Sequence, residues 1–432
     1  MILAMPLMGL TLPAASAYDP PASGEGSLDP MGLSAISDRL AEVLVPGLRA
    51  RMRWVRFTTA MAVGAVATES LADEQPHDGV STPAICFEWL LIEAFVRRIE
   101  RGLPADVPGS QKTRTAINRG ERLSRQTYLN SPRVFGFYGV YKPFAVDAGV
   151  LTQDLAPAER CVELVRAWEH DHGLTGFADE VPGTEGGAIR RRVHEEVRAA
   201  LQKGSLTVAT GAQLLGRLAA TLRPDKAGRT EAAVLRRLLT DPRHEHRAEL
   251  ALLLADDDRI ATEPQLLAAA RKHASQELGR IIDAVVSYEE LAVLVNAAFR
   301  LLCSVSYSLG GQPLTASHVA DDETLDWCAR EIPERFKRAA DRVAEVTHDI
   351  DLEQRLGEFV YPRSPKDLAE FVLHHHEQVQ AGKPGGKRSW FEPLRDGWVV
   401  RPPYGSPERP DLNYFVHPVR VHTLRSFIGA TS

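Results

Sequence analysis

Between Glu263 and Leu309, apolar residues recur with helical period over an unusually long run, and no other feature constrains the fold as much. The run reads as one long helix with a break near Ser287. Shorter segments share the period. Leu33, Ile36, Leu40 and Leu44 open a helix that Pro46-Gly47 ends. A second helix is expected over 51–71. A third starts at Ser81-Thr82-Pro83, a capping residue followed by proline in the first turn, and stays apolar nearly all round through Ile99. Such a helix belongs at the centre of a core. Further helices are expected over 157–171, 187–203, 210–222, 230–240, 244–255, 322–346, 351–360, 365–381 and 418–428, with no fixed repeat period. Trp390-Phe391, the Asp396-Gly397 turn and Trp398-Val399-Val400 read as a β-hairpin.

The expected fold is mainly α: a multi-helix chain of two or three domains with a small C-terminal β-hairpin. Abundant Ala, Leu and Arg with only 7% aromatic residues favour helices over sheets. The expected divisions are a tail over 1–26, an N-terminal helical domain over 27–150, a middle helical region over 151–260 and a C-terminal helical domain over 261–432. Met1 to Ala17 is apolar and ends in Ala15-Ser16-Ala17, a pattern like a signal-peptidase site. No Lys or Arg precedes it, and Pro6 and Pro13 interrupt it, so it reads as a tail rather than a secretory signal. No stretch holds about 18 uninterrupted apolar residues, and no membrane span is expected. Cys86, Cys161, Cys303 and Cys328 form no CxxC pair and lie in apolar helical runs. They read as buried free thiols of a reducing, cytoplasmic compartment.

The net charge of −6 argues against a wholly basic nucleic-acid coat, yet two segments are locally basic and aromatic. Over 111–142, seven cations face one carboxylate: Lys112, Arg114, Arg119, Arg122, Arg125, Arg133 and Lys142 against Glu121. Tyr128, Phe135, Phe137, Tyr138 and Tyr141 are interleaved with them. Over 383–404, Lys383, Lys387, Arg388, Arg395 and Arg401 face Glu392 and Asp396, with Trp390, Phe391, Trp398 and Tyr404 beside them. Cations neutralise phosphates and aromatic faces stack on unpaired bases. Phosphate contact is therefore expected from Lys112, Arg114, Arg119, Arg122, Arg125, Lys387 and Arg388, and stacking from Tyr138, Tyr141, Trp390 or Trp398. The alternatives are a solvated basic helix followed by an aromatic core loop for the first segment, an ordinary capping hairpin for the second, or an acidic protein partner.

Three adjacent histidines, His374, His375 and His376, point about 100° apart on a helix and cannot share one metal. Glu169 with His172, His246 with Glu249, and Glu345 with His348 have the spacing found in dinuclear carboxylate sites, to which Glu88 or Glu93 would add a ligand. His348-Asp349 is similar to the pair in helical metal phosphohydrolases. A metal-dependent hydrolase or nuclease subunit is the second reading, and a helical scaffold for partner subunits is the third. The chain has no phosphate loop, dinucleotide fingerprint, nucleophile elbow or HExxH motif. No cofactor is expected.

Leu28-Asp29-Pro30-Met31-Gly32-Leu33, with Ile36-Ser37, Leu40, Leu44, Pro46-Gly47, Arg51, Arg53 and Arg56, resembles the opening of an uncharacterised bacterial family encoded beside DNA-modification and phage-defence genes. Residues 135–141 and 375–384 are similar to later parts of it. Leu48, Ala50 and Met52 stand where that family often carries threonines. The resemblance transfers no catalytic residue. It implies a non-catalytic, nucleic-acid-associated component of an anti-phage defence or DNA-processing system, with DNA in preference to RNA and other defence-system proteins as partners.

Overall fold

The computed structural model describes residues 29–99, 102–207, 212–255, 261–349 and 351–432. The tail expected over 1–26, the Ala15-Ser16-Ala17 pattern and Leu28 of the resemblance lie outside these residues. The helices are α1 (Ser34–Leu44), α2 (Phe57–Thr68), α3 (Pro83–Arg98), α4 (Ser110–Asn118), α5 (Pro132–Phe135), α6 (Phe137–Asp147), α7 (Cys161–Asp171), α8 (Glu185–Lys203), α9 (Ala212–Thr221), α10 (Arg229–Leu239) and α11 (Glu245–Ala255). They continue with α12 (Glu263–Arg271), α13 (Gln276–Ser308), α14 (Glu323–Val346), α15 (Leu352–Leu356), α16 (Pro365–Ala381) and α17 (Val421–Gly429). The protein is mainly α. Its hairpin, β1 (Phe391–Leu394) and β2 (Gly397–Val400), pairs antiparallel from Phe391↔Val400 to Leu394↔Gly397.

Three elements differ from expectation. The helix expected over 51–71 starts only at Phe57, because turns close at Arg49–Met52 and Trp54–Phe57. The break expected near Ser287 falls at 272–275, where the Ser275 hydroxyl accepts the Leu278 amide and caps α13. Ser287 sits inside α13, since one interior serine costs a helix only a few tenths of a kcal/mol. Over 103–150, where no helix boundaries were expected, the chain carries α4, α5 and α6.

The chain forms two units: a smaller one of 29–41, 261–271 and 275–419, and a larger one of 42–260, 272–274 and 420–432. The boundary expected at residue 150 does not separate compact bodies, because α2 and α3 pack on α7, α8 and α9. In the larger unit Thr82 caps α3, accepting the Ile85 amide, with Pro83 in the first turn. Residues 85–95 of α3 are all buried, as its all-round apolar pattern requires.

A buried ion pair ties α2's entry to α10. Arg56 and Glu231 are about fully buried and meet bidentately, Nε–Oε1 2.8 Å and Nη2–Oε2 2.7 Å. Arg56 also donates to the carbonyls of Arg223 at 2.6 Å and Thr221 at 2.7 Å. In the smaller unit α13 packs along α14. α13 is long and apolar enough to cross a membrane, yet 72% of its most apolar window is buried, which is the arrangement of a core helix. Midway along it, buried Glu289 receives the Ser37 hydroxyl at 2.7 Å, the amides of Val416 and His417 at 3.0 and 3.2 Å, and His417 Nδ1 at 2.9 Å. It thereby pins a strap of residues 411–418. Burial alone would lower the His417 pKa, but the Glu289 hydrogen bond and charge raise it above the usual value.

Replacing one member of a buried pair leaves the other's charge uncompensated. Arg56→Met should therefore destabilise the protein by about 3–5 kcal/mol in urea unfolding. Arg56→Met with Glu231→Leu should recover most of that loss.

Candidate nucleic-acid interface

The basic-aromatic segment 111–142 separates into an outside and an inside. Lys112, Arg114, Arg119 and Arg125 are exposed and Arg122 is half-buried. Tyr128, Phe137, Tyr138 and Tyr141 are at most 4% exposed. This corrects the stacking role expected of Tyr138 and Tyr141, whose rings have no face open to a base.

The cause is a carboxylate on α3. Glu88 is fully buried, with no ion pair among the described residues, and accepts the Tyr128 hydroxyl at 2.7 Å and the Tyr138 amide at 3.1 Å. It thus sits on the first turn of α6, where free amides and the helix dipole favour negative charge. Gly136 makes this approach possible, because a Cβ there would collide with the carboxylate. With α6 so placed, Phe57 stacks on Phe137 and Tyr141 at centroid distances of 5.1 and 5.0 Å. The Tyr141 hydroxyl accepts the amides of Arg53 and Trp54 at 2.8 and 2.9 Å. Burial pushes the Glu88 carboxyl up to about 7, against the pull of the Tyr128 and Tyr138 hydrogen bonds.

α4 buries Ser110, Thr113 and Ala116 against α3 and turns its cations outward. Lys112 stands in its first turn, where the dipole disfavours positive charge by roughly 0.3–1 kcal/mol. Arg114 and Asn118, one turn apart, join Arg97 and Arg98 from the end of α3 around a hollow of about 430 Å³ whose lining, among the described residues, holds no carboxylate. Glu93 answers both Arg97, at 2.6 Å, and Arg122, at 4.0 Å, so one carboxylate serves two guanidinium groups. Among the described residues, Arg98, Lys112, Arg114 and Arg119 form no ion pair.

Sequence reasoning missed Arg97, Arg98 and Arg51 as members of this surface, and it placed Phe135 in the segment without giving it the stacking role. Paired arginines in a helix's last turn were a signal for the first two. Phe135 is 50% exposed, with the Arg51 guanidinium 5.1 Å above its ring, and Val134 beside it is 54% exposed. The exposed ring of the segment is thus Phe135. Arg133 donates to the Val80 carbonyl at 3.4 Å.

The second segment, 383–404, lies in the smaller unit, and most of its charges are engaged internally. Lys383 bonds to the Gln380 amide oxygen at 3.2 Å, and Arg388 pairs with Glu392 at 2.6 Å. Arg401 is buried 3.6 Å from the same carboxylate. Lys387 is half-buried. Trp390 is 5% exposed and stacked on Tyr404 at 4.4 Å, with Arg300 over its ring at 5.0 Å. That corrects the stacking role expected of Trp390, which has no open face. Trp398 is half-buried and its backbone bridges to Leu314. This segment is a hairpin cap on its own core.

His375 and His376 are buried and bonded to backbone. His376 Nδ1 bonds the Pro30 carbonyl at 2.8 Å and Nε2 accepts the Trp390 amide at 2.9 Å, while burial pushes its pKa down to about 4. His375 bonds the Met31 carbonyl at 3.1 Å, and His374 is exposed. His172 lies 2.8 Å from Arg56, and its pKa is lowered by burial and by that charge. Glu169 accepts the Ala178 amide at 2.9 Å. No three metal-ligating side chains converge among the described residues. Cys86, Cys161, Cys303 and Cys328 are free and buried, and burial pushes each thiol up to about 12.

Comparison with protein-family models, with curated proteins and with solved structures finds no significant match for this chain.

Because the folded Glu88 carboxyl titrates near 7 rather than at its ordinary 4.5, the folded state binds the proton more tightly than the unfolded state. Stability from this group is greatest at acid pH and falls as pH rises from about 4.5 to 7. The stability of wild type relative to Glu88→Gln should fall over that window by up to about 3 kcal/mol and be flat above it, as read by urea unfolding at a series of pH values.

Proposed function

We propose that this chain is a cytoplasmic, non-catalytic, nucleic-acid-associated component of a bacterial defence or DNA-processing system, and that it holds DNA by the phosphate backbone. One observation carries the reading: arginines from α3 and α4 line one hollow in which, among the described residues, no carboxylate takes part. Such a surface attracts polyanions whatever the net charge of the chain. Lys112, Arg114, Arg119 and Arg122 retain their expected phosphate-contacting role, with Arg97 and Arg98 added. Phe135, backed by Arg51, takes the stacking role in place of Tyr138 and Tyr141. The resemblance to a family encoded beside phage-defence genes supplies the biological setting, and four buried thiols suit a reducing compartment. The metal-dependent hydrolase reading lacks a converging ligand set among the described residues.

Arg98, Arg114 and Arg119 form no ion pair among the described residues, so their joint replacement by alanine should leave the melting temperature nearly unchanged. The triple variant should lose about tenfold or more in affinity for a DNA oligonucleotide, and its plot of log affinity against log salt should be shallower by about two to three units. Fluorescence anisotropy between roughly 50 and 200 mM salt reads both. Absence of binding by the wild type, or a salt dependence unchanged in the variant, would overturn the proposal.

A further inference from the structure

The smaller unit carries a cleft that the nucleic-acid reading does not use. It encloses about 640 Å³ between α12, α13, α14 and residues 412–415 of the strap. Its walls are apolar: Leu267 from α12, Ile282 and Val286 from α13, and Phe415 from the strap. Its rim is cationic. Arg335, Arg338 and Arg342 recur at i, i+3 and i+7 and so form one stripe along α14, and Arg271 faces them from α12.

These arginines are incompletely answered within the lining, whose carboxylates are Asp283 and Glu290. Asp283 holds Arg271 bidentately at 2.8 and 3.0 Å. Glu290 is shared, pairing with Arg335 and lying 3.7 Å from Arg338. Arg342 reaches only Glu345, outside the lining, at 3.2 Å. Exposed pairs of this kind are worth about 0–1 kcal/mol and yield readily to a better-placed anion. Ser287 and Trp327 also line the cleft. Ser287 is 8% exposed, and among the described residues neither its hydroxyl nor the Trp327 indole N–H makes a hydrogen bond. Both donors are open to the cleft and can serve a ligand acceptor.

We propose that this cleft binds a small anionic amphiphile, with a carboxylate or phosphate head held by Arg338 and Arg342 and an apolar body lying between Leu267, Ile282, Val286 and Phe415. Apolar walls alone would suit a neutral ligand, and a cationic rim alone would suit a bare anion. Together they select a molecule with both parts. The enclosed volume falls in the range of small-molecule sites, roughly 300–1,000 Å³. This site stands apart from the proposed DNA surface, which the other unit carries, and neither depends on the other.

Titration calorimetry with the full chain, below micelle-forming concentrations, tests it. The probes are decanoate, decyl phosphate, decanol, decyltrimethylammonium and an acidic amphipathic peptide. Decanoate or decyl phosphate should bind one to one, the tighter of the two identifying the head group, while decanol and decyltrimethylammonium bind at least about tenfold more weakly. Arg338→Ala with Arg342→Ala, both exposed and safe for folding, should weaken anion binding about tenfold or more. Val286→Trp, which fills the cleft, should abolish it. Equal binding of decanol, no binding of either anion, preferential binding of the peptide, or full affinity in the double-alanine variant would each overturn the proposal.

Discussion

A carboxylate buried in a helical core must find donors or take up a proton, and Glu88 does part of both. It has no cationic partner among the described residues, so it draws in the Tyr128 hydroxyl and the first turn of α6. Those two contacts fix Tyr128 and the start of α6 against α3. The aromatic residues become core, packed around Phe57, and the cations between them are left on the surface. The basic character of that surface therefore follows from how an acid on the neighbouring helix is satisfied.

The two basic-aromatic segments show why net local charge is a poor guide by itself. Over 383–404 the cations meet Glu392, a backbone turn and stacked rings, and the segment closes on itself. Over 111–142 the single carboxylate Glu121 is exposed, and the acids that α3 contributes are buried and spent on Tyr128, Arg97 and Arg122. Charge left without a partner is free to meet a polyanion, whereas charge already paired must first be released.

Much of the helical framework was legible. Ser81-Thr82-Pro83 marks its helix start because cap and proline act locally, and the hairpin follows from a two-residue turn between β-prone runs. Periodicity did less well where the environment overrode it. Ser287 lies inside α13 while Ser275 caps its start, because only in the first turn is an amide free to take a serine hydroxyl. The cations of the candidate interface were readable as an excess of Lys and Arg. The stacking residues were not. Tyr138 and Phe135 are three positions apart in one glycine-rich aromatic run, and nothing in the residue types says which ring turns inward.

What the sequence determined by itself are the properties that arise within a few residues: helix periods, caps, the hairpin turn, unpaired thiols and the local charge excess. Each depends on neighbours along the chain, so the order of residues is enough. What only the tertiary structure decided is which of those residues share a surface. Arg97 and Arg98 meet Arg114 because α4 buries a three-residue stripe on α3, and Tyr141 is withdrawn because α6 rests on Glu88. The arginines of α12 and α14 face one cleft because α13 runs between them as a common floor. These are contacts between positions far apart in the chain. They are set by which packing buries the apolar faces while pairing most of the buried polar groups, a condition no single segment contains.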